Sequence, residues 1–146
     1  VVSMFGVMSY QTSNEELALA CKKARQHLKK GGLFIFDVWS GLAVMTDPPV
    51  QVLRETGNGD ERILRFTEPR IDPTLHTVDV NFKVLKLKGD RLNSETMESH
   101  KVRFFYPQEI KYFLQVAGFA DIRFCPFLKI DSQLSTHDRD ITIIAQ

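Results

Sequence analysis

Two short apolar runs flank one amphipathic stretch at the start of the sequence, and that order constrains the fold more than any other feature. The first run is Val1-Val2-Ser3-Met4-Phe5, stopped by Gly6. The second covers residues 33–38, with Asp37 near its end. Continuous apolar runs of this length, bounded by glycine, predict strands buried on both faces. Between them stands Ser13, with Glu16 three residues on, the spacing of a capping box at a helix start. Leu17, Cys21, Ala24 and Leu28 then recur at helical spacing and make one apolar face. Gly31-Gly32 supplies a helix stop. The opening therefore predicts strand, helix over 13–28, strand. That is a βαβ unit, and its crossover should be right-handed.

The pattern changes after Asp47-Pro48-Pro49. From about residue 52 to 105 polar and apolar residues alternate in strand fashion. Gly57-Asn58-Gly59-Asp60, Asp72-Pro73 and Gly89-Asp90 are turn signals. Val78, Val80, Phe82 and Val84 alternate with polar residues, as in a half-exposed antiparallel strand. The phase shifts at Leu85 and Leu87, which predicts a bulge. Three or four antiparallel strands are expected here. Pro107 opens a second helix, with Ile110, Phe113, Leu114 and Ala117 as its apolar stripe and Gly118 as its stop. Residues 122–127 and 141–145 read as two last strands.

Composition excludes several classes of function. The sequence has 146 residues, 43% hydrophobic and 25% charged, enough for a core within one domain. A net charge of +1 gives no basic face for nucleic acid. The one basic cluster, Lys22, Lys23, Arg25, Lys29 and Lys30, lies late in the first helix, where cations suit the helix dipole. No apolar run reaches the roughly 18–20 residues that span a bilayer, and no signal peptide is visible. Cys21 and Cys125 lie apart in apolar surroundings, which predicts buried free thiols and a reducing cytoplasm. No His, Cys and carboxylate grouping has metal-ligand spacing. Because residues 1–5 read as the middle of a buried strand, the sequence also reads as a fragment.

Three segments, taken in order, resemble the class I S-adenosylmethionine-dependent methyltransferases. Val1-Val2-Ser3-Met4-Phe5-Gly6-Val7-Met8-Ser9-Tyr10 is similar to that family's fourth core strand and the loop after it. Leu28-Lys29-Lys30-Gly31-Gly32-Leu33-Phe34-Ile35-Phe36-Asp37 resembles the entry to its fifth strand. Arg103-Phe104-Phe105-Tyr106-Pro107-Gln108-Glu109-Ile110, continuing to Leu114, Ala117, Gly118 and Phe119, resembles its late helix. The middle of the chain resembles the antiparallel insert that small-molecule methyltransferases, amino-sugar N-methyltransferases among them, carry over the substrate pocket. The resemblance implies an α/β fold: a partial Rossmann-like methyltransferase sheet with an antiparallel β insertion. Residues 1–46 would be the second half of the core, 47–105 the insertion, and 106–146 the return to the core. It implies an enzyme using S-adenosylmethionine on a small-molecule methyl acceptor. The glycine-rich loop and the ribose-binding acid of the family's first two strands have no counterpart here. A missing N-terminal half, or a homodimer mate along the edge of residues 1–5, is therefore expected as a partner. A non-enzymatic binding or dimerisation module built from the same half fold is the alternative.

The resemblance places Met4, Phe5 and Gly6 beside the cofactor's methionine arm, although Met4 and Phe5 equally suit plain core packing. Tyr10 falls where sugar N-methyltransferases carry a histidine. It can orient a substrate, but a phenol with an ordinary pKa near 10 is a poor base at neutral pH. Trp39 offers an aromatic wall for an acceptor or a cation, or simply packing. His100 is a candidate base and Arg103 a candidate carboxylate or phosphate binder. Three apart on a strand, they should point to opposite faces.

Overall fold

In the computed structural model, which describes residues 1–146, the first helix is set by its cap. Ser13 Oγ accepts from the Glu16 amide at 3.1 Å, and Glu16 Oε2 accepts from the Ser13 amide at 3.0 Å. Two of the free N–H groups of the first turn are thereby satisfied. The helix, α1, is Asn14–Gln26, with Leu17, Cys21 and Ala24 buried. It stops short of the expected residue 28. The His27 amide bonds back to Lys23 and Ala24, and tight turns carry the chain to Gly31, whose φ of +78° suits glycine. Leu28 still packs on the core.

The chain divides into two units, Val1–Pro48 with Val102–Gln146, and Pro49–Lys101. In the first unit the organising strand is β2 (Phe34–Ser40), preceded by β1 (Val2–Ser3). The expected strand over residues 1–5 is thus shorter and more exposed. Val2 is 68% exposed, because β1 pairs with β2 on one side only. Phe5 and Gly6 both adopt left-handed φ angles, +67° and +71°, and turn the chain off the strand line. A short 3₁₀ helix, Val7–Tyr10, follows where a loop was expected. After β2 comes α2 (Gly41–Thr46), which the sequence reading left unassigned. A Cβ on Gly41 would lie 2.9 Å from the Tyr106 ring, so the helix start admits only glycine without movement.

The rest of the first unit returns from β6 (Arg91–Phe105), whose last residues pair parallel with β2, Trp39 with Phe104 and Ser40 with Phe105. Next come α3 (Pro107–Val116), β7 (Ile122–Pro126) and β8 (Asp140–Ala145). β8 runs antiparallel to β2 from Phe34↔Ala145 to Trp39↔Asp140, and β7 lies outside it. Alternation along β2 sends Phe34, Phe36 and Val38 to one face. There they form the core with Leu17, Ile110, Leu114, Phe119, Ile141 and Ile143. No helix is long and apolar enough to cross a membrane.

The second unit is antiparallel β. β3 (Val52–Asn58), β4 (Glu61–Asp72), β5 (Thr77–Lys88) and the first part of β6 follow one another in space as in sequence. Two-residue turns at Gly59-Asp60 and Gly89-Asp90 lie between the strand ends. The expected bulge does not occur in the pairing of β5 with β4. Pairing of β4 with β5 is unbroken from Glu61↔Lys88 to Asp72↔Thr77. The phase shift at Leu85 instead marks where both faces of the strand reach solvent, so burial no longer enforces alternation.

Arg103 ties two helix starts together. Its guanidinium donates to Thr12 O at 3.3 Å, to Asn14 Oδ1 at 2.8 Å and to Glu109 Oε1. It lies 5.0 Å over the Phe105 ring, and its Nε is buried with no partner. Two substitutions separate the contributions of surface cap and buried pair. Ser13→Ala should destabilise by about 1 kcal/mol in chemical denaturation. Glu109→Ala strands a buried cation and should cost roughly 3–5 kcal/mol by the same measurement.

Candidate active-site loop

The loop that leaves β1 is laced to the end of β2 by two reciprocal hydrogen bonds. The Gly6 amide donates to Asp37 Oδ2 at 2.7 Å, and the Trp39 amide donates to Ser9 Oγ at 3.1 Å. One bond runs from loop backbone to strand side chain, the other from strand backbone to loop side chain. Within the loop the Ser9 amide bonds Gly6 O at 3.0 Å and closes the turn. Such lacing is needed because Phe5 is a bulky residue in the left-handed region, a conformation that costs on the order of 1–3 kcal/mol. The Phe5 ring does not recover that cost by burial. It is 84% exposed and touches only the edge of the local fold, with its centroid 6.3 Å from that of Phe127.

Asp37 and Trp39 lie on the face of β2 opposite the helical core. Asp37 is 2% exposed and its Oδ1 is buried without a partner. Opposite Asp37 stands Thr142 of β8, and two residues further is Asp140. Diagonal neighbours in such a pair lie on the order of 7–8 Å apart. Burial, and then the Asp37 charge, push the Asp140 carboxyl above its ordinary range, with Arg139 acting the other way. Thr142 Oγ1 accepts from the Leu128 amide at 3.2 Å, and the Cys125 thiol bonds Thr142 O at 3.7 Å.

Of the residues singled out in the sequence, Met4, Phe5, Gly6, Tyr10 and Trp39 meet at this loop and strand end. Tyr10 closes the 3₁₀ helix and is half exposed. Arg103 belongs to the same unit, but its guanidinium is engaged by Thr12, Asn14 and Glu109. His100 lies in the second unit, edge-on to Phe82 at 5.7 Å and 3.6 Å from Glu98 Oε2. Ser9, Asp37 and Asp140 were not anticipated as site residues. A carboxylate inside an otherwise apolar strand was the available signal for Asp37. No group of three His, Cys, Asp or Glu side chains is placed to hold a metal ion. Cys21 and Cys125 are buried free thiols, and burial pushes Cys21 up to about 11.

The raised Asp140 carboxyl has a sign that can be measured. Folding favours its protonated form, so its contribution to stability is full below the ordinary carboxylate range near 4 and is lost as pH rises through the folded value. Melting temperatures of wild type and Asp140→Asn, taken from about pH 4 to neutrality, should therefore diverge in favour of the variant.

No protein-family model and no curated protein matches the sequence. Solved structures do match its fold. A methyltransferase from Clostridium acetobutylicum, described as S-adenosylmethionine-dependent, is 17% identical with a TM-score of 0.76, over 99% of this chain and 56% of that one. The sugar N-methyltransferase KedS8 from Streptoalloteichus is 15% identical, with a TM-score of 0.74 over 99% and 54%. CalS10 from Micromonospora echinaspora, an amino pentose methyltransferase solved with S-adenosylmethionine, is 12% identical, with a TM-score of 0.73 over 99% and 56%. The chain spans little more than half the length of these structures. It shares the α/β fold of the part of these methyltransferases that it covers.

Proposed function

We propose that this chain supplies the acceptor-side part of an S-adenosylmethionine-dependent methyltransferase acting on a small molecule. The laced loop at the carboxyl end of β1 carries this reading. Open α/β sheets bind ligands outside the carboxyl ends of their parallel strands. Here that position is held by a loop in a strained conformation, with an exposed aromatic ring at Phe5, the half-exposed Tyr10 at its end, and Ser9 bonded to the Trp39 amide. Strain kept at a loop of this kind fits a ligand site.

The residues present fit one side of the cofactor. Met4, Phe5 and Gly6 would hold its methionine end, and the exposed ring of Phe5 offers a π face to a cation. S-adenosylmethionine, when bound, supplies the methyl group. What this chain does is orient the acceptor. Trp39 gives an aromatic wall and Tyr10 a hydroxyl for hydrogen bonding. Alignment of this kind supplies roughly 7–11 kcal/mol of a barrier in favourable cases. His100, in the second unit, is a candidate base on its side-chain chemistry alone; general-base catalysis contributes about 10²–10⁴-fold where an acceptor must lose a proton. The glycine-rich and ribose-binding elements would come from a partner segment along the open side of β1, where Val1 and Val2 are exposed. That segment would be an N-terminal half; a second copy of this chain lacks the same elements and could only cover the exposed edge. The same exposed edge also favours the alternative, a dimerisation module without activity.

Calorimetric titration of the mass-confirmed polypeptide, as isolated from its source, with S-adenosylhomocysteine tests the reading. Micromolar binding is expected, and Phe5→Ala should weaken it about tenfold or more, the scale of one cation–π or stacking contact in a desolvated site. A folded polypeptide that binds nothing overturns the enzyme reading and leaves the dimerisation module, for which light scattering would show a stable dimer.

A further inference from the structure

We propose that Asp37 is a positioning residue, holding the Phe5-Gly6 backbone in the conformation that presents this loop to cofactor and acceptor. The inference rests on the methyltransferase reading and adds to it the residue that keeps the site in shape.

The argument starts from what is unfavourable about Asp37. It is a carboxylate in a central strand, 2% exposed, and one of its oxygens has no hydrogen-bond partner. Buried polar atoms without partners are uncommon and costly. A second carboxyl, Asp140, stands diagonally on the same face and is itself driven toward its protonated form, in part by the Asp37 charge. Arg139 is the cation acting on that pair, and it is itself bonded to Asp47. An apolar residue at position 37 would continue the run of Phe36 and Val38 without either problem.

The other oxygen of Asp37 accounts for the residue. Oδ2 accepts from the Gly6 amide at 2.7 Å, a charge-assisted bond and the shorter of the two that lace the loop. Gly6 is the second of two successive left-handed residues, so this bond fixes the point at which the chain turns outward. Ser9 sets the far end of the same turn through the Trp39 amide. Without the carboxylate, Phe5 has little to hold it at positive φ, since its ring is exposed and contributes little packing. A site that departs from local stability rules in two adjacent places, at Phe5 and at Asp37, is the expected mark of a functional constraint.

The test uses ¹⁵N-labelled polypeptide, wild type and Asp37→Asn, with S-adenosylhomocysteine as the probe. In wild type the Gly6 amide proton should be protected from exchange and shifted downfield by the charged acceptor. In Asp37→Asn its exchange should rise about tenfold or more, the scale of one hydrogen bond to a charged group. The dissociation constant for S-adenosylhomocysteine should rise by a similar factor. Ser9→Ala acts on the other end of the clamp. It should free the Trp39 amide and weaken the probe while leaving the Gly6 shift in place, so the proposal stays testable even where Asp37→Asn folds poorly. Ser13→Ala is the control for a merely structural loss, since it should lower stability and leave probe affinity unchanged. An unchanged Gly6 amide in Asp37→Asn overturns the proposal. So does a freed Gly6 amide with unchanged affinity. Absence of probe binding in wild type defeats the methyltransferase reading and the positioning role with it, whereas Gly6 exchange then still reports whether the clamp exists.

Discussion

The first unit depends on β2 being bonded along both edges. β8 follows it in antiparallel register from Phe34 to Trp39. On the other side β1 takes its first half and the end of β6 its last residues. A strand held in this way has its side chains sorted strictly by parity. Even positions face the helices, where Leu17 of α1 and Ile110 and Leu114 of α3 meet Phe34, Phe36 and Val38. Odd positions are left for Asp37 and Trp39. The same parity that makes the core therefore delivers one carboxylate and one aromatic ring to the opposite face. Their backbone and side-chain groups are what the β1 loop is bonded to.

Stability and site chemistry pull against one another at this place. A left-handed phenylalanine, its exposed ring and a buried carboxylate beside a half-buried carboxyl are each unfavourable alone. Along the two helices of the unit local preferences and tertiary packing agree. Ser13 and Glu16 cap α1, Pro107 starts α3, and Arg103 joins the two helix starts through a buried ion pair. Several unfavourable features thus gather within a few residues at the carboxyl end of the parallel strands, and Leu128 after β7 is a further left-handed residue of the unit.

What was legible in the sequence was whatever short-range physics decides. The Ser13–Glu16 box, the apolar runs, the turn pairs Gly59-Asp60 and Gly89-Asp90, and the helix at Pro107 need only neighbouring residues to be recognised. Three features needed partners far along the chain. α2 starts at Gly41 because Tyr106 leaves no room for a side chain there. Arg103 looked like a substrate binder until Thr12, Asn14 and Glu109 surrounded it. Phe5 looked like strand until the Gly6–Asp37 bond turned the chain. Around Leu85 the faces of β5 are only half-buried, so the phase shift there does not require a bulge, and the pairing with β4 runs on without one. That the loop of residues 5–10 is bonded to the end of β2 at Asp37 and Trp39 is long-range information that periodicity alone lacks.

The pairing of β8 with β2 has a consequence for synthesis on the ribosome. Residues 34–39 and 140–145 are neighbours in space but are made about a hundred residues apart. At roughly 5–20 residues per second, β2 waits several seconds for its main partner. Until α3 is made, its apolar side chains have only α1 and β1 of their later core partners. The hairpins of residues 49–101 need no such delay, since each strand pairs with the one made just before it. Short loops close quickly and long ones slowly. The nascent chain therefore acquires its antiparallel hairpins before its core is complete, and apolar surface of β2 stays exposed to misfolding until Ile141 and Ile143 arrive.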